Sequence, residues 1–187
     1  KKILKEKRKV SSKISLPQIQ KNFLLQLYNM RKYDVLIHSA KQMLNHHLEL
    51  TFLLNIIGAS YSAKGEYNKA ITWYEKAIEV HPKYAEGYNN MGSAFLNKNE
   101  LFAARDSYKK AIEIQPNYPE ALFNLGNVYY AQGELQLAID SFKNSIKLQP
   151  DFANAYNNLG NSYQEIGNMD LAKSCYEEVL KINPKNA

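Results

Sequence analysis

The sequence predicts an all-α protein made of repeated pairs of helices, on three observations. Apolar and small residues recur at a constant period with no insertion between units, as Gly58, Gly92, Gly126 and Gly160 do. Within each unit the apolar residues follow the spacing of two amphipathic helices, each about a dozen residues long. A glycine or asparagine stands in the middle of most units and a proline near their end, where a turn and a helix stop are expected. One such unit cannot bury its apolar face alone, so the units must stack.

The unit at 119–152 shows the pattern most clearly. Its defining residues are Leu122, Leu125, Gly126, Tyr129, Ala138, Phe142 and Pro150. One unit earlier, the same offsets hold Tyr88, Met91, Gly92, Phe95, Ala104, Tyr108 and Pro116. One unit later, they hold Tyr156, Leu159, Gly160, Tyr163, Ala172, Tyr176 and Pro184. We place the two helices of the unit at 119–152 near 120–132 and 136–148.

This pattern resembles the tetratricopeptide repeat, a helix-turn-helix unit of about 34 residues. The resemblance implies a right-handed α-solenoid of five stacked units within an array spanning 15–187. The units are predicted at 17–50, 51–84, 85–118, 119–152 and 153–186. The first unit departs from the pattern, with Leu24 in place of glycine and Leu48 in place of proline, as terminal repeats often do. The function that the resemblance implies is a protein–protein interaction scaffold.

The charge is concentrated in residues 1–14, which are predicted to be a basic lead-in or linker. Residues 1–13 carry seven basic residues and one acidic residue, and the rest of the chain carries 17 of each sign. The repeats therefore lack the basic stripe of a nucleic-acid-binding face, and we expect only weak nucleic-acid contacts through the lead-in. No run of about 18 apolar residues predicts a membrane span. The single cysteine, Cys175, suits a reducing compartment and predicts a cytoplasmic location.

No motif in the sequence predicts catalysis, a cofactor or a metal site. The histidines are His38, His46, His47 and His81. The adjacent His46 and His47 would point about 100° apart on a helix and cannot share a metal. Cys175 lies in the middle of a predicted helix with no histidine near it in sequence, which favours a half-buried, unreactive thiol. We therefore expect this chain not to be an enzyme.

Asparagines recur on one stripe of the first helices, which line the concave groove in the family that the sequence resembles. The predicted peptide-binding residues on or beside this stripe are Asn89, Asn90, Phe123, Asn124, Asn127, Tyr130, Asn157, Asn158 and Asn161. Asparagine is a mediocre helix former, so its recurrence suggests another role. A primary amide both donates and accepts hydrogen bonds, as the backbone of an extended peptide does. Phe123 and Tyr130 would add aromatic anchors among these amides.

The stripe resembles the asparagine ladder of the O-linked N-acetylglucosamine transferase repeats. The second unit breaks it, since Ile56 occupies the position of Asn90 and Asn124. The alternative is that these asparagines belong to the ordinary repeat pattern and form contacts between repeats.

The sequence favours a scaffold that holds an extended peptide in this groove. An alternative is the accessory part of a larger enzyme, because similar bacterial arrays often precede a glycosyltransferase, sulfotransferase or oxygenase domain, and this chain begins at Lys1 rather than at methionine. Another alternative is a self-assembling structural array. The last helix, predicted near 170–182, should leave Tyr176, Val179 and Leu180 partly uncovered, and we expect weak self-association through this repeat.

Overall fold

A computed structural model describes residues 16–45 and 49–184 of the chain. Within these residues the chain forms α-helices joined by short loops and no strand. The helices are α1 (Gln18–Asn29), α2 (Tyr33–Leu44), α3 (Leu50–Ala63), α4 (Tyr67–Val80), α5 (Ala85–Asn97), α6 (Leu101–Ile114), α7 (Pro119–Ala131), α8 (Leu135–Leu148), α9 (Ala153–Glu165) and α10 (Met169–Ile182). The predicted all-α class is confirmed. The lead-in predicted at 1–14 lies outside the described residues.

The described residues divide into two compact units, one ending at Lys98 and one beginning at Asn99. The N-terminal unit contains α1–α5 and the C-terminal unit contains α6–α10. The boundary falls in the loop between α5 and α6, inside the third predicted repeat. Leu24, Leu53 and Ile57 are among the fully buried side chains of the N-terminal unit. Val128 and Phe142 are fully buried in the C-terminal unit.

A residue in the left-handed conformation ends the first helix of each pair and lets the chain turn back. Gly133 follows α7 with a φ of 77°. Its N–H donates to the carbonyl of Tyr130 over 3.0 Å, and the N–H of Glu134 donates to the carbonyl of Tyr129 over 2.9 Å. These two bonds satisfy carbonyls that the end of the helix would otherwise leave without a partner.

The same turn is made with other residues along the chain. Gly65 and Gly167 have φ values of 76° and 78°, and Asn99 has a φ of 61°, as the sequence predicts. After α1 the place is taken by Arg31, with a φ of 56°. A residue with a β-carbon is strained there by about 1–2 kcal/mol. The sequence pattern did not point to Arg31, because arginine is not one of the residues that commonly adopt the left-handed conformation.

A glycine in the first helix lies against an aromatic ring of the second helix. A β-carbon on Gly126 would lie 2.5 Å from Cε1 of Phe142. A β-carbon on Gly58 would lie 2.6 Å from Cε1 of Tyr74, and one on Gly160 would lie 2.6 Å from Cε1 of Tyr176. The absence of a side chain at these glycines therefore lets the two helices of a pair approach closely.

The first pair of helices satisfies the same packing with the sizes exchanged. Leu24 stands where the later repeats have glycine, and Ala40 stands where they have Tyr74 or Phe142. Leu24 and Ala40 are both fully buried in one core cluster. In this pair the large side chain is on α1 and the small one is on α2, the reverse of the later pairs. The total volume of the two side chains in the core is thereby kept similar.

A lysine of the second helix lies over a tyrosine on the first helix of the next pair, at equivalent positions along the array. The distance from Nζ to the ring centroid is 5.6 Å for Lys41 over Tyr61, 5.8 Å for Lys109 over Tyr129 and 5.6 Å for Lys143 over Tyr163. Such cation–π contacts contribute about 0.5–1 kcal/mol at exposed sites. The fourth equivalent pair is Glu75 and Phe95, so this contact is missing between α4 and α5.

Candidate functional site

The predicted asparagines of the C-terminal unit lie together on α7 and α9. Asn158 donates from Nδ2 to Oδ1 of Asn127 over 2.7 Å, which links the two helices. The Oδ1 of Asn161 accepts a hydrogen bond of 2.8 Å from the hydroxyl of Tyr176 on α10. Asn124, Asn127, Asn158 and Asn161 are half-buried. Asn127 and Asn158 are thus joined directly, and all four amides are partly accessible on the two helices.

The link between Asn158 and Asn127 uses only part of their hydrogen-bonding capacity. A primary amide offers two N–H donors and an oxygen that can accept twice. The bond takes one donor of Asn158 and one acceptor site of Asn127. Asn157, beside this pair, is exposed. The same side chains can therefore connect the repeats and bind a further polar group.

The two aromatic residues of this stripe differ in their surroundings. The ring of Phe123 lies 4.9 Å from that of Phe152 and 5.8 Å from that of Phe142, and it is half-buried. Tyr130 is 36% exposed, and its hydroxyl donates to Oε1 of Glu165 over a long distance of 3.5 Å. Desolvation and the neighbouring Glu165 raise the pKa of Tyr130, which keeps its hydroxyl protonated and able to donate. Tyr130 is thus the more accessible of the two rings.

In the N-terminal unit the predicted asparagines are placed differently. Asn89 is only 8% exposed, so it belongs mainly to the packing of α5. Asn90 donates to Oδ1 of Asn55 over 3.0 Å, and Asn55 donates to Oε1 of Glu86 over 2.9 Å. Sequence reasoning missed Asn55, although it occupies the position of Asn89 one repeat earlier and the repeat spacing would have found it.

A groove of about 400 Å³ opens beside these residues, and we call it the N-terminal groove. Its lining residues come from α1, α3 and α5 and the loop before α5. They are Leu25, Tyr28, Phe52, Asn55, Ile56, Ala59, Tyr84, Glu86 and Asn90. Most of these side chains are apolar or aromatic, and Leu25 is 45% exposed. The N-terminal unit therefore presents a more apolar surface on its first helices than the C-terminal unit does.

The described residues contain no group of three or more histidine, cysteine, aspartate or glutamate side chains placed to hold a metal ion. His46 and His47 lie outside those residues. Cys175 is buried rather than half-buried, and burial raises the pKa of its thiol. A thiol with a raised pKa is mostly protonated near neutral pH and is a poor nucleophile.

Family models of the tetratricopeptide repeat match most of the chain. Three overlapping matches to a TPR repeat model cover residues 58–99, 92–133 and 126–167, and a tetratricopeptide repeat model matches 153–186. The chain belongs to the tetratricopeptide repeat family. The predicted family is confirmed, and membership supports the role of a protein-interaction scaffold.

Solved structures of MamA are similar to this chain. One crystal structure of MamA has 28% sequence identity and a TM-score of 0.76, and the match covers 86% of this chain and 94% of MamA. A MamA structure from Desulfovibrio magneticus RS-1 has 16% identity and a TM-score of 0.76, covering 89% and 94% of the two chains. The second likeness concerns the fold alone. Together they support the all-α helical-repeat solenoid class.

A search of the curated proteins found no match to this sequence. Among the helices of the described residues, none combines the length and the apolar character that crossing a membrane requires.

Proposed function

We propose that this tetratricopeptide repeat scaffold binds an extended peptide segment along its first helices, through the asparagines of the C-terminal unit. The observation that carries the proposal is the hydrogen bond of 2.7 Å between Asn158 and Asn127. It holds two amides side by side on neighbouring first helices while leaving donors and acceptors for a ligand. Such amides match the alternating N–H and C=O groups of an extended backbone.

The spacing of the helices supports this mode of binding. Packed helices lie about 8–10 Å apart, and an extended chain advances about 3.3 Å per residue. One amide per repeat therefore meets roughly every third residue of the peptide. Tyr130, exposed beside this stripe, supplies an aromatic contact between polar ones, which is the usual composition of a binding hot spot.

The test is the double substitution of Asn124→Ala with Asn158→Ala. Each lost hydrogen bond should weaken peptide binding by about 0.5–1.5 kcal/mol. Asn158→Ala removes the hydrogen bond to Asn127, at a cost of about 0.5–1.5 kcal/mol. The higher helix propensity of alanine at the two positions offsets a similar amount, so stability should stay close to that of the parent. A thermal melt is measured beside a titration with a peptide selected for binding to the parent protein.

The two readouts separate binding from structure. A melt well below that of the parent would mean that the asparagines serve mainly the packing between repeats and not a ligand. Unchanged melting with unchanged binding would mean that the peptide lies elsewhere.

A second candidate function is self-association through the last helix. Leu180 is 44% exposed, and Tyr176 and Val179 are half-buried, as the sequence predicts. A groove of about 420 Å³ along α10 is lined by Met169, Ala172, Tyr176 and Leu180 together with the polar Gln164, Lys173 and Glu177. The apolar part of this surface favours association with a second copy. The weak nucleic-acid contacts of the lead-in, the cytoplasmic location and the attachment to a larger enzyme stay predictions.

A further inference from the structure

We propose that the N-terminal groove selects a peptide carrying a bulky apolar side chain next to a lysine or arginine. The inference rests on one part of the proposed function, namely that the first helix of each repeat contributes to peptide binding. It adds a second site, in the other unit, and a defined ligand chemistry.

The two units differ at equivalent positions of their first helices. The asparagine positions 124 and 127 of α7 correspond to Ile56 and Ala59 of α3, and position 127 corresponds also to Leu25 of α1. Two amide positions of the C-terminal unit are thus held by apolar residues at three places in the N-terminal unit, whereas Asn22 and Asn90 keep the amide of position 124. The C-terminal stripe is suited to a peptide backbone, and the N-terminal groove is suited to an apolar side chain.

The size and walls of the groove fit one large side chain. Its volume of about 400 Å³ lies within the range of ligand-binding pockets. Tyr28, Phe52 and Tyr84 are half-buried and give it aromatic walls. The Nζ of Lys21 lies 5.8 Å from the centroid of the Phe52 ring, so one cation already stands beside this wall. Lys21 itself is neutralised by Glu49, at 2.6 Å.

One carboxylate sets the charge of the groove. Glu86 is the only charged residue among the lining residues. Its Oε1 accepts the hydrogen bond from Asn55, and Asn55 is held in turn by Asn90. A carboxylate has further acceptor sites, and among the described residues no cation is paired with Glu86. A ligand with a basic residue supplies that charge, whereas an acidic ligand is repelled.

The experiment uses four capped, dye-labelled hexapeptides and fluorescence anisotropy at low salt. Their two central residues are phenylalanine–lysine, phenylalanine–glutamine, phenylalanine–glutamate and alanine–lysine. We expect the phenylalanine–lysine peptide to bind the parent roughly two- to fivefold more tightly than the phenylalanine–glutamine peptide, the effect of a partly exposed ion pair. The glutamate and the alanine peptides should bind more weakly than both.

Two matched variants locate the selectivity. Glu86→Gln should reduce the ratio between the lysine and glutamine peptides to about one. Glu120→Gln changes the same position one repeat later, in the C-terminal unit, and should leave the ratio as in the parent.

The outcomes that overturn the inference differ from those that overturn the proposed function. A lysine preference that survives in Glu86→Gln, equal binding of the glutamate peptide, or no binding of any peptide to the parent overturns the inference. Tighter binding after removal of residues 1–13 would make the chain's own basic segment the occupant, and would also overturn it. The two proposals can fail separately. The double variant of Asn124→Ala and Asn158→Ala could bind a peptide selected on the parent protein as well as the parent does, while Glu86→Gln still abolishes the lysine preference. In that case the proposed role of the C-terminal amides fails and this inference stands.

Discussion

Replacing Gly126 by alanine should destabilise the C-terminal unit, because the new methyl group has no room. The methyl carbon would lie 2.5 Å and 2.7 Å from Cε1 and Cδ1 of Phe142, whereas carbon atoms in contact are about 3.5–4.0 Å apart. Phe142 is fully buried, so its ring cannot move without displacing its neighbours. Overpacking costs about 1–3 kcal/mol, and the higher helix propensity of alanine offsets about 1 kcal/mol. The expected loss is therefore up to about 2 kcal/mol.

Gly160→Ala is the matched control. Its methyl group would meet Tyr176 at 2.6 Å, almost the same distance. Tyr176 is half-buried, so its ring can shift outward, but the shift lengthens the hydrogen bonds from its hydroxyl to Asn161 and Gln164. Their loss costs about 0.5–1.5 kcal/mol each at most, and the higher helix propensity of alanine offsets about 1 kcal/mol, so the variant should be closer to the parent in stability than Gly126→Ala.

Thermal melting followed by circular dichroism measures both variants. For a chain of 187 residues, each kcal/mol corresponds to about 2–4 °C. The single tryptophan, Trp73, lies in α4, so its fluorescence reports separately on the N-terminal unit. A melting temperature of Gly126→Ala at or above that of the parent would refute the packing argument. If Gly160→Ala lowered the melting temperature as much as Gly126→Ala does, burial of the aromatic ring would not be what decides the loss of stability.

Two further predictions concern the end of the array and the alkaline stability. Leu180→Lys should reduce self-association, as measured by sedimentation velocity. Leu137→Lys is the control, because Leu137 has the same exposure of 44%, and it should leave self-association unchanged. A parent protein that is monomeric at high concentration would contradict this prediction. Burial raises the pKa of Tyr74 above its ordinary value. The folded protein therefore holds this proton more tightly than the unfolded chain, so the stability that Tyr74 contributes is present below about pH 10 and is lost as the pH rises further. Between about pH 9 and 11 the urea midpoint should fall less steeply in Tyr74→Phe than in the parent, and equal slopes in the two proteins would contradict the reasoning.

The helices and their turns were predictable because they depend on nearby residues. The apolar spacing of 119–152 predicts both helices of that repeat, and the glycine at 133 suits a left-handed turn wherever the fold places it. Arg31 was not predictable in this way. Its φ of 56° runs against the local preference of a residue with a β-carbon, so no local rule points to it.

In the candidate site, too, some features were predictable from the sequence and others were not. The recurrence of the asparagines was evident from the sequence, because it is a property of spacing. Their exposure was not, because burial depends on side chains from other helices. Asn89 and Asn157 occupy equivalent positions two repeats apart, yet Asn89 is 8% exposed and Asn157 is exposed.

The sequence by itself determined the all-α class, the family and the positions of most turns, since these follow from a periodicity that the chain carries along its length. The tertiary structure decided which members of each periodic set remain at the surface. It brought Asn55, Glu86 and Asn90 into one hydrogen-bonded chain, although these residues come from two different repeats. It also showed that the apolar residues Leu25, Ile56 and Ala59 line a common groove. Such groupings depend on how the helices pack, and helix packing brings together residues that are far apart in the chain.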